Sequence, residues 1–473
     1  MRVSDIVNLG LEYLMAGVVF LIIIGIGFAV WYLAYFKKKH PNDKIRTNKI
    51  ILAGVFFLYL VVVLGATMLS RAGFYGNTKI YPLFYSYKDA WTDFSLTEWR
   101  NIILNILMFV PFGIFLPLLF KKMQKFWKVY LAGLGLTLLI EILQLLLKRG
   151  IFEPDDIWGN TVGAMIGYGV YCLGRYMVQW LKYKRKEKGG QVFCLQLPLL
   201  FTVVAFGAIF LVYHAQELGN LDCTYLIKQK NISVSSEVEF KQETAPVVVY
   251  QADVLSVSET EELAKDLFAK QNCDIDESRT DIYENTALYY SAGENRFSVW
   301  FDYDGGTFHM TDFERIFADE DGQNPIKADA SEDEIRKAFS DAGIYVPESA
   351  EFENKGDGIY CFRADKITDG DVMYDGVLEG TYYADGKFGR IENGIVEFVE
   401  YKEAYIISEE EAYRELKEGK FSYWRADDSE LNVRVEAVIL DYRMDTKGFY
   451  QPVYNFEAFV NERQIEIVVP AIK

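Results

Sequence analysis

Long apolar runs fill the first 214 positions and then cease. Six of them, from about Leu11 to Phe36, Ile50 to Leu69, Ile102 to Phe120, Trp127 to Leu147, Ile157 to Leu181 and Leu197 to Tyr213, have the roughly 17 to 25 residues a helix needs to cross about 30 Å of hydrocarbon. Beyond Tyr213 the pattern shortens. SETEELAKDLFAKQN has the spacing of an amphipathic helix, and FSVWFDYDGGTFHM alternates around Asp304, Gly305 and Gly306 as a hairpin does. SEDEIRKAFSDAG opens with Ser331 and Glu334 in capping-box spacing, which predicts a second helix. A third, over Ser408 to Gly419, precedes NVRVEAVILDYRM, FYQPVYNFEAFV and RQIEIVVPAI, which alternate as antiparallel strands do. The predicted fold class is an all-α polytopic membrane helical bundle of about six spans, followed by an α+β soluble domain with an antiparallel sheet. Its expected parts are an N-terminal helix with a basic loop (residues 1–49), a helical membrane domain (50–181), a basic loop with the final span (182–214) and an α+β domain (215–473) large enough for two subdomains.

Charge adds direction to this pattern. The 49 basic and 67 acidic side chains sum to −18, a value neither half carries. Residues 1–214 hold 23 basic and 11 acidic groups (net +12), and residues 215–473 hold 26 and 56 (net −30). With 51% hydrophobic residues, that split excludes both a single soluble domain and a uniformly disordered chain. The loops KKKHPNDKIRTNK, KKMQKFWK and KYKRKEKGG are strongly basic, whereas those from Ser70 to Asn101 and from Lys148 to Asp156 mix signs. Lys and Arg are retained on the cytoplasmic side of a membrane, so six crossings place both termini, and the acidic domain, outside. The first run is too long for a signal-peptide core, so a retained helix is expected. Trp91, Trp99, Trp127, Trp158 and Trp180 fall near the expected membrane interfaces.

Polar residues inside the spans cost on the order of 2.5 to 3.5 kcal/mol each at mid-bilayer for a charged group, so each asks for a reason. Asn101 and Asn105 open the third span on one helical face, ahead of Pro111 and Gly113. Glu141 and Gln144 lie near the far end of the fourth span, followed by Arg149. Asp155, Asp156 and Asn160 begin the fifth, with Asp156 and Asn160 on one face. All fall at the outer side of the bilayer in the orientation above, so three helices deliver polar groups to one depth. Such groups can be plain interhelical glue, worth about 0.6 kcal/mol per hydrogen bond; clustering at one depth favours an outward-opening polar pocket. Gly159, Gly163 and Gly167 recur every four residues and form a smooth stripe for close helix packing, and Pro111 and Pro117 are expected as kinks.

These residues resemble the VanZ-like family of integral membrane proteins, over roughly Ile50 to Leu181. The resemblance rests on N-x3-N-x5-P-x-G (Asn101, Asn105, Pro111, Gly113), on E-x2-Q (Glu141, Gln144) and on R-x5-D-D-x3-N-x2-G-x3-G (Arg149, Asp155, Asp156, Asn160, Gly163, Gly167). IYPLFYSYKDA resembles that family's Pro-Phe loop, departing from it at Ile80 and Tyr81. It implies a cell-envelope role in bacteria of Gram-positive type, where the family is associated with resistance to glycopeptide antibiotics, notably teicoplanin. The closing stretch, with Gln451, Pro452, Tyr454 and Val469 to Ile472 after the third helix, resembles extracytoplasmic YycI-like and PepSY-like modules, which implies a binding or regulatory role.

No GxSxG, HExxH, SxxK or phosphate-cradling glycine loop occurs. Three His and five Cys without a CxxC predict neither a zinc site nor a disulfide framework, and the acidic runs ADEDG and DESRTD fit no EF-hand loop, so no metal or cofactor is expected. A net −30 repels nucleic acid and anionic wall polymers and favours cationic partners. The expected function is that of a non-enzymatic or accessory envelope protein in the lipid bilayer. Its pocket engages a lipid-linked or lipid-anchored molecule, such as a lipid-linked cell-wall precursor or a lipophilic glycopeptide. The acidic domain serves as a sensor or meets an envelope protein partner. Two alternatives stand beside it. One is an intramembrane enzyme in which Glu141 or Asp156 is general base and Arg149 steadies a lipid phosphate or a lipid-linked wall precursor. The other is a regulatory protein acting through its outer domain.

Overall fold

The computed structural model describes residues 3–39, 47–69, 80–148, 151–183, 189–293, 296–320, 325–425 and 429–473. The chain divides into two compact units, Met1–Glu217 with Trp424–Ser429, and Leu218–Tyr423 with Glu430–Lys473.

The first unit is helical. Its principal helices are α1 (Val3–Trp31), α2 (Thr47–Leu64), α3 (Tyr85–Thr92), α4 (Leu96–Leu119), α5 (Phe126–Leu146), α6 (Pro154–Tyr183) and α7 (Leu197–Ala215). α1 and α2 each run on into a π-helical turn, Tyr32–Phe36 and Gly65–Leu69. Among the described residues, five helices are long and apolar enough to cross a membrane, namely α1, α2, α4, α5 and α7. The expected run from Ile157 to Leu181 lies within α6, whose 30 residues give ample length at about 1.5 Å each. Its glycines and polar residues make it less apolar. It needs less apolar surface because it is an inner helix: Val162, Ala164, Ile166, Tyr168, Tyr171 and Cys172 are all buried. Ala164, Tyr168, Tyr171 and Cys172 pack with Phe109, Phe112 and Leu116 of α4, Val129 and Ile140 of α5, and Val63 of α2 into one core, and Val162 and Ile166 pack with Ile106 of α4 into a smaller one.

Pro111 and Pro117 lie inside α4 without ending it. Trp99, in the first turn of α4, is 2% exposed. α7 covers that side of α4, and Trp99 packs edge-on or tilted against Tyr87, Phe94, Phe206 and Phe210. Phe94 also stacks flat on Tyr213 at the end of α7.

The second unit is built on one 14-stranded sheet. From edge to edge it runs through Ile232–Ser236, Leu431–Met444, Phe449–Val460, Val247–Ala252, Val396–Ala404, Val372–Tyr382, Phe388–Asn393, Phe308–Asp312, Phe297–Asp302, Thr286–Tyr290 and Asp281–Ile282. Among the described residues only the first pair is parallel, joining Ile232 to Leu431; the rest are antiparallel. The predicted hairpin around Asp304 is the pair Phe297–Asp302 and Phe308–Asp312. Helices Val257–Lys270 and Glu409–Lys417 open on complete capping boxes, Ser256 with Glu259 and Ser408 with Glu411. At Ser331 only half of the expected box forms. Ser331 accepts the Glu334 amide, but the Glu334 carboxylate accepts from Lys327 and Tyr382 instead, which ties the helix to the sheet.

Two large cores share this sheet, one around Phe268, Phe301, Phe339 and Leu378, the other around Leu416, Phe421, Val433 and Phe456, with a smaller one around Ala252, Met373, Phe398 and Tyr450. All five cysteines are free, and Cys361 is fully buried.

Candidate functional site

The site is set by how closely α4 and α6 approach. A Cβ built on Gly163 would overlap the Ile106 carbonyl oxygen, and one on Gly167 the Val110 carbonyl oxygen. Gly113 of α4 faces Ala164 and Gly167 in the same way. Both glycine pairs advance by four residues on each helix, so α4 and α6 run parallel and in register for at least a turn. Absent side chains let the two backbones touch, and dispersion contacts replace the missing bulk. Gly159, nearer the start of α6, meets only ordinary contacts, Ile106 Cγ1 at 3.6 Å and Asn105 Cβ at 3.9 Å. The two helices therefore begin at the same end of the bundle, where antiparallel α5 finishes. Their polar residues converge there.

Five hydrogen-bonded links knit that end together. Asp155 and Asp156 occupy the first turn of α6, where the helix dipole favours carboxylates. Asp155, 6% exposed, accepts the backbone N–H groups of Phe84 and of Ser86, the latter at 2.8 Å. It thereby caps α3 from another helix. Phe84, with φ 68°, lies in the left-handed region and makes no side-chain cap of its own. Asp156 accepts from Asn105 Nδ2 on α4. Glu141 of α5, 1% exposed, accepts the Glu153 N–H at 3.0 Å. Asn160 Nδ2 donates to Thr137 Oγ1 at 2.9 Å, and Gln144 Nε2 to the Thr67 carbonyl at 2.8 Å. Three buried oxygens at this end, Gln144 Oε1, Asn160 Oδ1 and Thr161 Oγ1, have no hydrogen-bond partner. Buried polar atoms of that kind are uncommon and each asks for an explanation.

The surroundings are electronegative. On α3, outside the spans, burial and then the charges of Asp155 and Asp156 push the Tyr87 phenol up to about 12. Burial, followed by Asp93 and Glu98, raises the Asp89 carboxyl above the usual carboxylate range.

The structure thus brings Asn105, Glu141, Gln144, Asp155, Asp156 and Asn160 to one end of the bundle. Asn101 is exposed, a turn before Asn105 on α4, with no hydrogen bond to the others among the described residues. Arg149 lies outside the described residues. Asp156 and Asn160, one turn apart, turn to different neighbours, α4 and α5 respectively. Sequence reasoning missed Thr137, although its place four residues before Glu141 puts it on the same face of α5. It also missed the carbonyl of Thr67 and the amides of Phe84, Ser86 and Glu153, since a backbone group carries no residue-type signal. Among the described residues no group of three or more His, Cys, Asp or Glu side chains is placed to hold a metal ion.

Comparison with known proteins places the same stretch in context. A sequence profile of the VanZ/LLP1 family matches residues 56–175. Protein VanZ of Enterococcus faecium is 29% identical over 139 residues, which are 29% of this chain and 84% of that protein. An uncharacterized protein from Eubacterium rectale, known from a crystal structure, aligns over 51% of this chain and 88% of its own at 11% identity and a TM-score of 0.27, a likeness too slight to carry an argument.

Proposed function

We propose, from the premise that residues 56–175 are a VanZ-like domain in a multi-pass membrane protein, that this chain acts in the cell envelope and lowers sensitivity to teicoplanin-type glycopeptides. It does so by engaging a lipid-linked or lipid-anchored envelope molecule at the polar end of α4, α5 and α6. The observation that carries this reading is a carboxylate, Glu141, 1% exposed near the end of a spanning helix, at the same end as buried side-chain oxygens that accept nothing. A structural glue would have spent those acceptors. The basic loops belong on the cytoplasmic side, so the polar end and the acidic second unit face outward, where the second unit serves as sensor or partner module.

The test is the teicoplanin sensitivity of cells carrying Glu141→Gln or Asp156→Asn. Losing a hydrogen bond to a charged group removes about 1.5 to 3 kcal/mol, roughly a tenfold or greater loss of engagement. Sensitivity should return to that of cells lacking the protein. A cysteine replacing exposed Glu348, labelled by an impermeant maleimide in intact cells, controls for insertion and orientation. Unchanged tolerance in correctly inserted variants would sink the reading.

A further inference from the structure

We propose that the end of the membrane bundle opposite the polar site binds anionic phospholipid head groups, through a lysine cluster on the connection between α4 and α5. The inference does not depend on the function proposed for the polar end. Lys121, Lys122 and Lys125 lie on the short stretch that joins Leu119 to Phe126, and all three are exposed. Exposed Lys49, at the start of α2, reaches the same end. The far end of α2 runs to the Thr67 carbonyl beside Gln144, and Phe56, about two turns after Lys49, packs against Phe112 and Phe115 of α4. None of the four lysine side chains has a hydrogen bond or ion pair among the described residues. The chain has no Asp or Glu between Glu98 and Glu141 or between Asp156 and Tyr183, so α4, α5 and α6 bring no carboxylate to this end. Its field is therefore positive and unspent.

Retention of a loop on the cytoplasmic side needs charge alone; this loop is also fixed. The Phe120 N–H donates to the Leu116 carbonyl at 3.0 Å, and the Met123 N–H to the Phe120 carbonyl at 2.9 Å, closing a turn over Lys121–Met123. Tyr168 of α6 donates to the Gln124 carbonyl at 2.7 Å, and Met123 packs against the bundle core. The lysine backbones are thus held before a ligand arrives, which lowers the ordering cost of binding. What lies beside them identifies the ligand as a lipid. Phe120, Phe126 and Trp127 are 52%, 51% and 46% exposed, and Lys128 Nζ stands over the Trp127 ring at 5.4 Å. Exposed aromatic side chains at the end of a spanning helix sit at the head-group level of a bilayer, so the phosphates within reach of these lysines are those that lipids carry. Basic residues at the membrane surface attract anionic lipids by a factor of about five each.

The test uses the full chain in a non-ionic detergent, titrated with dihexanoyl phosphatidylglycerol and with dihexanoyl phosphatidylcholine, and bound lipid is counted by native mass spectrometry. The glycerol lipid is anionic and the choline lipid is neutral overall, with the same chains. The native protein should prefer the glycerol lipid by about a hundredfold, the product of three such factors. Each of Lys121→Gln, Lys122→Gln and Lys125→Gln should weaken that preference about fivefold, and the three together should abolish it. Lys270→Gln, Lys337→Gln and Lys387→Gln together make the same change of net charge at exposed positions of the second unit and should leave the preference intact. Thermal melting confirms that both triple variants fold. A preference that survives the loop triple variant, or that falls equally in the control, overturns the proposal. Displacement of the glycerol lipid by an equal concentration of inorganic phosphate also overturns it, since the lysines then hold a free anion and not a lipid.

Discussion

Replacing Gly167 by leucine is expected to abolish the α4–α6 pairing and with it the folded membrane unit. A Cβ at this position meets the Val110 carbonyl oxygen and the Gly113 Cα, both backbone atoms that no side-chain rotation can clear. Overpacking a well-filled core costs typically about 1 to 3 kcal/mol, and a leucine between two touching backbones falls at or above the top of that range. The helices must separate, so Asn105 loses Asp156 as well. Gly135→Leu on α5 is the matched control, since a Cβ there meets nothing within 4 Å. Thermal unfolding in detergent should show Gly167→Leu poorly folded and Gly135→Leu close to the native protein. Equal melting of the two would show that the glycine contact does not hold the bundle.

The second large effect is expected from Asp155→Ala. One carboxylate satisfies two backbone amides, those of Phe84 and Ser86, across 71 and 69 residues of chain. Hydrogen bonds to a charged group are worth about 1.5 to 3 kcal/mol each, and both are lost together. The start of α3 should therefore open locally. Amide hydrogen exchange at Phe84 and Ser86 should accelerate by about a hundredfold, the factor that roughly 3 kcal/mol gives. Exchange along α5 should change little. α3 also packs, through Tyr87 and Trp91, against Phe206 and Tyr213 of α7, so a loosened α3 relaxes that aromatic contact too. Unchanged exchange at both amides would mean that Asp155 does not position the loop.

The membrane helices were legible because hydrocarbon imposes one rule on every spanning segment: length and apolarity are written locally. α6 is the instructive exception. Gly163 and Gly167 reduce its apolar character for the same reason that they let it sit inside the bundle. The four-residue spacings of Asn101 with Asn105 and of Asp156 with Asn160 each define a helical face, yet a face does not name its neighbour. Asn101 ends up exposed, and Asp156 and Asn160 part company between α4 and α5, because helix packing decides which of two adjacent grooves each side chain enters. The partners that complete the site include the Thr67 carbonyl, 77 residues from Gln144, and no spacing rule reaches that far. In the second unit the same division holds. The Ser256 and Ser408 caps are local and visible, whereas the pairing of Ile232 with Leu431 is a product of sheet closure. Glu334 shows local chemistry yielding to tertiary contacts, since Lys327 and Tyr382 take the carboxylate that a capping box would use.

The net charge of −18 likewise concealed the relevant electrostatics. The polar end of the membrane unit contributes little to that sum, but Glu141, Asp155 and Asp156 are among its most constrained charges, each fixed by a hydrogen bond to another segment.

The most direct measurement places a photo-reactive phenylalanine at the exposed position of Asn101, one turn from Asn105, and irradiates living cells. If the polar end of α4, α5 and α6 engages an envelope molecule, one defined lipid-linked or lipid-anchored adduct should form and should disappear when Glu141→Gln is added. Adducts with bulk phospholipid alone, unchanged by Glu141→Gln, would contradict a binding role for this site.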